Sequence, residues 1–385
     1  MNASIIHAYD ELLRDVSGRL NPGCSCAVAQ GEKILYEGYA GVRDLSAGAP
    51  VTENTVFRHF STTKLYTVTA AMMLFERGKF LMLDPISDYL PEWKNVRVAE
   101  VKGGKVFLRE PNRPVTVRDC LTMGIGMVEK DLVPYGFAQL KKDMGTETGK
   151  CTLRELVRAA AEIPMVCDPG AEWHYGFGHD LIAAMIEVAD GRDIETFMRE
   201  ELFEPLGLLH TSYRHFEGSR ENMVVPYRRD SAGSFTVMPL PSDARLEKES
   251  RFISGGAGII SDTRDFLVFC QMLAAGGTWQ GRHYLNRRTI DLMRRPQLSD
   301  AQMQDYTRDY LQGYSYGYGV RTLVDGFEGN LANPGEFGWS GYLGTYAMID
   351  PKAQLSVVFM QNTMPNNERY IHPRIRNMAY ALIDS

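Results

Sequence analysis

The sequence predicts an α/β protein whose sheet is assembled from both ends of the chain, with a mainly helical lobe inserted between them. Three observations carry this. Strand-like runs joined by tight turns lie near each terminus: Cys26 to Gln30 meets Lys33 to Tyr39 at Gly31-Glu32, and Gly344 to Ile349 meets Gln354 to Gln361 at Asp350-Pro351-Lys352. The middle of the chain repeats helical spacings broken by Gly and Pro. The length, 385 residues, exceeds that at which a single core stops growing. The expected division is an α/β lobe of residues 1–84 plus 209–385 and an inserted helical lobe of 85–208.

Each element has its own signal. Ile5, Tyr9, Leu12, Leu13, Val16 and Leu20 form one helical stripe, stopped by Asn21-Pro22-Gly23. After the first hairpin, Phe57 to Lys64 opens a helix expected to run to Arg77, with Gly78 as its stop and Leu65, Val68, Met72 and Phe75 as its buried stripe. Helical patterns follow at Val115 to Met123, Leu153 to Ile163, Asp180 to Ala189 and Ile194 to Phe203. Arg251 to Ser261 is glycine-rich, Thr263 to Ala275 is helical, and Tyr316 to Val324 reads as a strand. A last helix spans about Arg369 to Ile383.

Composition narrows the function classes. The chain is 44% hydrophobic, 10% aromatic and 23% charged, which excludes a disordered protein. Forty-two Lys and Arg against 48 Asp and Glu give a net charge of −6, with no basic run to meet nucleic acid. No uncharged apolar stretch approaches the ~18 residues of a membrane span. Asp10 and Glu11 follow too soon after Met1 for an apolar signal core, so a cytoplasmic location is expected. The six cysteines (Cys24, Cys26, Cys120, Cys151, Cys167 and Cys270) fit no zinc spacing and read as buried thiols in a reducing compartment. His174, His179 and His210 are scattered and read as satisfied structural residues. Neither a metal nor a cofactor is expected, and no residue pattern points to an oligomeric state.

One pair stands out chemically. Ser61 and Lys64 are three residues apart at the start of a helix and therefore share a face of its first turn. A serine hydroxyl becomes a nucleophile when a neighbouring base takes its proton, and a lysine can do so when burial and nearby positive charge lower its pKa. Unpaired N–H groups at the helix start add donors where negative charge develops. Ser61 is the only serine with Lys at +3, although so short a motif is weak alone.

The surroundings strengthen it. Phe57-Arg58-His59-Phe60-Ser61-Thr62-Thr63-Lys64 resembles the nucleophile motif of the class C β-lactamase, penicillin-binding-protein and family VIII esterase superfamily. Asp168-Pro169-Gly170 leading to Tyr175-Gly176-Phe177 is similar to its Tyr-x-Asn element, and Trp339-Ser340-Gly341 to its Lys-Thr-Gly strand. Val117 to Met123, Ser254 to Asp265 and Asp350-Pro351 match further landmarks, so the resemblance covers nearly the whole chain in order. It implies a β-lactamase/transpeptidase-like fold, a central antiparallel sheet flanked by helices. It implies Ser61 as the acylated nucleophile, with Lys64 and Tyr175 as the base system and Lys64 stabilising the Tyr175 phenolate. The backbone N–H groups of Ser61 and Tyr342 would form the oxyanion hole, with Gly341 leaving room for the acyl group. Phe177, Trp339, Ser340 and Gly341 would contact substrate.

Two departures direct the substrate reading. Phe177 stands where the superfamily has an amide, and Trp339 where it has the cation that pairs with a penicillin or peptide carboxylate. Losing that charge-assisted contact disfavours carboxylated ligands, and indole suits an uncharged apolar group. The expected partner is a small-molecule ester or amide, cleaved as by a family VIII carboxylesterase or transferred to another acceptor. β-Lactamase or D-alanyl-peptidase activity is the alternative, and a non-catalytic binding module the alternative of another class. Gly313-Tyr314-Ser315-Tyr316-Gly317 matches an α/β-hydrolase elbow but lacks a helix after it, so it reads as strand-edge packing. Met72, Met73 and Met82 could shape an apolar acyl site.

Overall fold

Alternation along the strand Gly23–Gln30 sets the layering of the molecule. Cys24, Cys26 and Val28 turn to one face of the sheet, against the terminal helices Ala3–Arg19 and Glu368–Leu382. Ala27 and Ala29 turn to the other face, where their small side chains let the helix Thr263–Ala274 lie close. The computed structural model describes residues 3–127, 136–307, 312–326 and 330–383.

The sheet has eight strands in the order Tyr314–Tyr316, Arg321–Leu323, Phe337–Ser340, Tyr346–Asp350, Leu355–Met360, Gly23–Gln30, Lys33–Asp44 and Ala49–Pro50. Every neighbouring pair is antiparallel. The two ends of the chain meet in its middle, with Ser25 opposite Met360 and Gln30 opposite Leu355. Both expected hairpins form. Gln30 pairs with Lys33 around Gly31-Glu32, and Asp350 Oδ1 accepts the Lys352 N–H at 2.8 Å to hold the second turn. The terminal helices are tied to each other by Tyr9 Oη, which donates to the Ile375 carbonyl at 2.7 Å.

Among the described residues, 85–208 contribute no strand to this sheet. Their helices include Val117–Leu121, Leu153–Ala160, Gly178–Asp190 and Ile194–Met198. Capping boxes at Thr116/Asp119 and Thr152/Glu155 set two of the starts. The region also holds a hairpin, Val98–Lys102 with Lys105–Arg109, which a helical reading did not include. One hydrophobic core runs without a break from the helix Thr63–Glu76 into these helices, joining Leu65, Val68 and Met72 to Leu181 and Ile182.

Three elements differ from expectation. Phe57–Arg58 is a short strand paired with Ile260–Ser261, Phe60–Thr62 is a 3₁₀ turn, and the α-helix begins only at Thr63. That helix is buried all round, from Thr63 to Leu74, instead of along one stripe, because it runs between the sheet and the helical region. The expected strand over Tyr316 to Val324 is two strands, Tyr314–Tyr316 and Arg321–Leu323, reversed by a turn in which Gly317 N–H donates to the Val320 carbonyl. Ser315 is thus a buried strand residue followed by a hairpin, and no nucleophile elbow forms. Among the described residues no helix is long and apolar enough to cross a membrane.

The close approach at Ala27 is testable. Ala27→Leu is expected to destabilise the protein by about 1–3 kcal/mol by overpacking, read from urea unfolding.

Candidate active site

The site is built on the turn between the strand Phe57–Arg58 and the buried helix. His59 N–H donates to the Ile259 carbonyl at 2.9 Å, and its wholly buried ring meets Ser261 Oγ at 2.7 Å and Thr62 Oγ1 at 2.9 Å. Phe60 then takes φ +48°, an uncommon conformation for a residue with a side chain, and so reverses the backbone just before Ser61. Strain of this kind persists only where the surroundings impose it, and here His59 holds one side while Phe60 packs edge-on against Tyr342. Ser61 emerges half-buried at the head of the helix.

Lys64, one turn later, is 4% exposed. A buried ammonium must find acceptors, and Nζ finds Ser61 Oγ at 3.3 Å and the Gly256 carbonyl at 2.9 Å. The second contact depends on the glycine-rich segment being held against the helix. Thr67 Oγ1 donates to the Gly255 carbonyl at 2.6 Å. Asp180, in the first turn of the helix Gly178–Asp190, accepts Ser254 Oγ and the Gly255 N–H at 3.0 Å each through Oδ1. A Cβ on Gly255 would collide with the His179 carbonyl oxygen and lie 2.5 Å from Ala183 Cβ, so the segment must be bare there to lie against the helix.

Tyr175 closes the site from the other side. Lys64 Nζ lies 4.7 Å from the centroid of its ring, against the face and not the hydroxyl. The hydroxyl oxygen instead accepts the indole N–H of Trp339 at 3.1 Å, and the two rings stack at 5.6 Å with 22° between their planes. Two cavities meet at this point, and Ser61 and Tyr175 line both. One, of about 210 Å³, is walled by Trp173, Trp339, Ser340, Gly341, Tyr342 and Met364. The other, of about 340 Å³, is more polar and is lined by Lys64, Lys141, Asp180, Arg245 and Ser254 among others. A larger groove of about 540 Å³ between the terminal helices holds no serine, so volume alone does not locate the chemistry.

A serine and a buried lysine sharing a hydrogen bond, faced by a tyrosine across a cleft, can transfer an acyl group. The Beta-lactamase family model matches residues 10–381. The chain belongs to the Beta-lactamase family. It is a serine hydrolase by that membership. Esterase EstB of Burkholderia gladioli is 27% identical over 372 residues, covering 92% of this chain and 88% of EstB. Among solved structures, EstCE1, a hydrolase with promiscuous acyltransferase activity, superposes with a TM-score of 0.82 at 24% identity over 98% of each chain. Simvastatin synthase (LovD) from Aspergillus terreus gives 0.84 at 23% identity over the full length of both. These two likenesses establish the β-lactamase/transpeptidase-like fold.

The structure brings together Ser61, Lys64, Tyr175, Trp339, Ser340, Gly341 and Tyr342. It does not bring Phe177. The backbone turns helical at Phe177, so its side chain departs from the Tyr175 face and packs in the core against Phe137 at 4.4 Å and Trp93 at 6.3 Å. Gly341 lines the smaller cavity, and a Cβ there would also collide with Thr345 Oγ1 and the His59 carbonyl, so the bare backbone lets the strand end seat on the Ser61 turn. Gly341 N–H donates to the Thr345 carbonyl at 2.7 Å, and the donor next along the chain is Tyr342. Met72 and Met73 are core residues, Met82 is packed against the core, and it is Met364 that reaches the smaller cavity. All six cysteines are buried free thiols. His174 bonds Glu172 and His210 bonds Asp262, but neither ring nitrogen of the buried His179 has a partner among the described residues. Burial and the Lys64 charge hold His179 well below the usual histidine range.

The sequence reading missed His59, Asp180 and Ser254. A histidine two residues before the serine and an acidic residue five after Tyr175 are common features, and only the contacts give them meaning. Asp180→Ala is expected to lower kcat by about 10²-fold, because the carbonyl that holds Lys64 would lose its anchor, as measured by steady-state kinetics. Burial also pushes His59 down to about 3, and lowers His179 and His372 in the same direction. The unfolded chain therefore takes up protons below about pH 6.5 that the folded one refuses, so stability should be full above that pH and fall steadily towards pH 3. Urea midpoints measured across that range test this, and a level response would contradict it.

Proposed function

We propose that the protein is a carboxylesterase of the family VIII type that acts on small uncharged esters through an acyl-enzyme on Ser61. The observation that carries this reading is the 3.3 Å contact between Ser61 Oγ and the buried Lys64 Nζ, at the wall shared by two cavities.

In the attacking state the Lys64 and Tyr175 pair has room for one proton. Ser61 Oγ bonds to the ester carbonyl carbon as its proton passes to the Lys64 and Tyr175 pair, and the oxyanion is taken up by the N–H groups of Ser61 and Tyr342. The carbon–oxygen bond to the alcohol then breaks, and the same pair returns the proton to the leaving oxygen. Water, or another alcohol or amine, repeats the sequence in reverse on the acyl-enzyme. Lys64 and Tyr175 act as one coupled acid–base unit in this scheme. Trp339 in place of a cation, with its N–H already committed to Tyr175, favours an uncharged group in the smaller cavity. The polar cavity suits the acceptor, which makes acyl transfer a variant of the same reaction. EstB and EstCE1 bear names consistent with this assignment.

A fluorophosphonate probe is expected to add a single adduct, found by peptide mass spectrometry on the peptide containing Ser61. Nitrophenyl acetate or butyrate should turn over, Ser61→Ala should lower the rate by at least about 10³-fold, and a chromogenic cephalosporin should be a poor substrate. Efficient cephalosporin hydrolysis would replace the esterase reading with β-lactamase activity. Absence of any adduct would favour a binding module.

A further inference from the structure

We propose that Cys167, Glu172 and His174 form a zinc-binding site on the loop that carries Tyr175. Read along the sequence these residues fit no ligand pattern, but the fold draws one donor atom from each to within 4.8 Å of the others, the one such convergence of three among the described residues. Cys167 is buried, His174 half-buried and Glu172 exposed, so the cluster has a closed floor and an open side through which an ion can enter.

The donor set selects the metal. A thiolate, an imidazole and a carboxylate are the ligand types zinc takes in four-coordinate sites, whereas calcium and magnesium take oxygen alone. Three protein donors leave a fourth position for water. His174 Nε2 and Glu172 Oε2 already share a hydrogen bond at 2.7 Å, so the ion would take the place of the proton between them, the imidazole would then carry its proton on Nδ1, and the Cys167 thiol would release its proton to solvent. Bonds of about 2.0–2.3 Å set tetrahedral donors roughly 3.5 Å apart, so the His174–Glu172 pair, now at 2.7 Å, would open around the ion while the Cys167 donor lies at most 4.8 Å from them.

The backbone beneath the donors is held in place. Asp168 receives the Arg109 guanidinium at 2.8 and 2.7 Å and the Asn112 N–H at 2.8 Å. Gly170 N–H donates to the Gly124 carbonyl at 2.7 Å, and His174 N–H to the Met123 carbonyl at 2.9 Å. A site held this way loses less order on binding than one on a free loop. Its position also ties it to the chemistry, since Tyr175 directly follows His174 and Trp173, directly before it, lines the smaller cavity. Bonding His174 to an ion would restrict the loop on which these two rings sit, so zinc should slow turnover. This last consequence rests on the proposed esterase reading, whereas the site itself does not.

The experiment is a titration of the full-length protein with zinc ion in competition with a chromogenic chelator. One equivalent should bind, and Cys167→Ser, His174→Gln and Glu172→Gln should each weaken binding ten-fold or more, with circular dichroism and melting curves showing that the variants are folded. Nitrophenyl acetate turnover should fall with zinc in the unaltered protein and lose its zinc sensitivity in His174→Gln. Binding that is absent, or equal in the unaltered protein and all three folded variants, would overturn the site. Zinc binding of the expected pattern with no turnover in any condition would instead count against the esterase reading alone.

Discussion

Lys64 is nearly sealed from water, and a charge or amine in that position has to be met by polar atoms from the protein. Ser61 Oγ supplies one and the Gly256 carbonyl the other. The remaining architecture can be understood as what this requires. The helix Thr63–Glu76 must run through the centre of the molecule, buried on every side, so that its first turn is dry. The glycine-rich segment must approach without side chains, and Asp180 and Thr67 must hold it there from two different helices. A nucleophile on an exposed helix would meet none of these conditions.

The same dryness shapes the opposite wall. Trp339 lines the smaller cavity and is largely buried, and its single donor goes to the oxygen of Tyr175. A lysine there would offer a cation to a substrate carboxylate. An indole offers an apolar face and orients the tyrosine instead. Lys64 lies on the ring face of Tyr175 while Trp339 holds its hydroxyl, so the two contacts fix the phenol from different directions. Substitution at one strand position thus bears on both substrate charge and acid–base geometry. The polar cavity on the far side of Ser61, with Lys141, Asp180 and Arg245 in its lining, is chemically unlike the aromatic one. The two walls beside Ser61 thus differ in character.

The positions that look least chemical are among the most constrained. Gly341 lines the smaller cavity, and a Cβ there would collide with Thr345 Oγ1 and the His59 carbonyl. His59 touches no cavity but joins Ser261, Thr62 and the Ile259 carbonyl into the base on which the Ser61 turn stands. Burial keeps it neutral at ordinary pH, which ties the integrity of the Ser61 turn to the protonation of a residue outside the proposed reaction.

Local chemistry was sufficient to place the hairpins, the terminal helices and the Ser61–Lys64 pair, because each rests on periodicity, turn residues or a three-residue spacing that neighbours in sequence alone satisfy. Phe177 could not be placed that way. Two residues from Tyr175 it would share a face in an extended chain, but the backbone turns helical at that point and sends it into the core. Nor could Asp180, Ser254 and Gly256 be recognised, since their roles lie in contacts across 74 or more positions of sequence, or with Lys64 192 positions away. The residues alone determined the terminal helices, the two hairpins and the spacing of Ser61 and Lys64. Only tertiary structure decided which distant polar atoms meet the buried lysine, because the need to satisfy a group removed from water selects its partners from the whole fold and not from the adjacent chain.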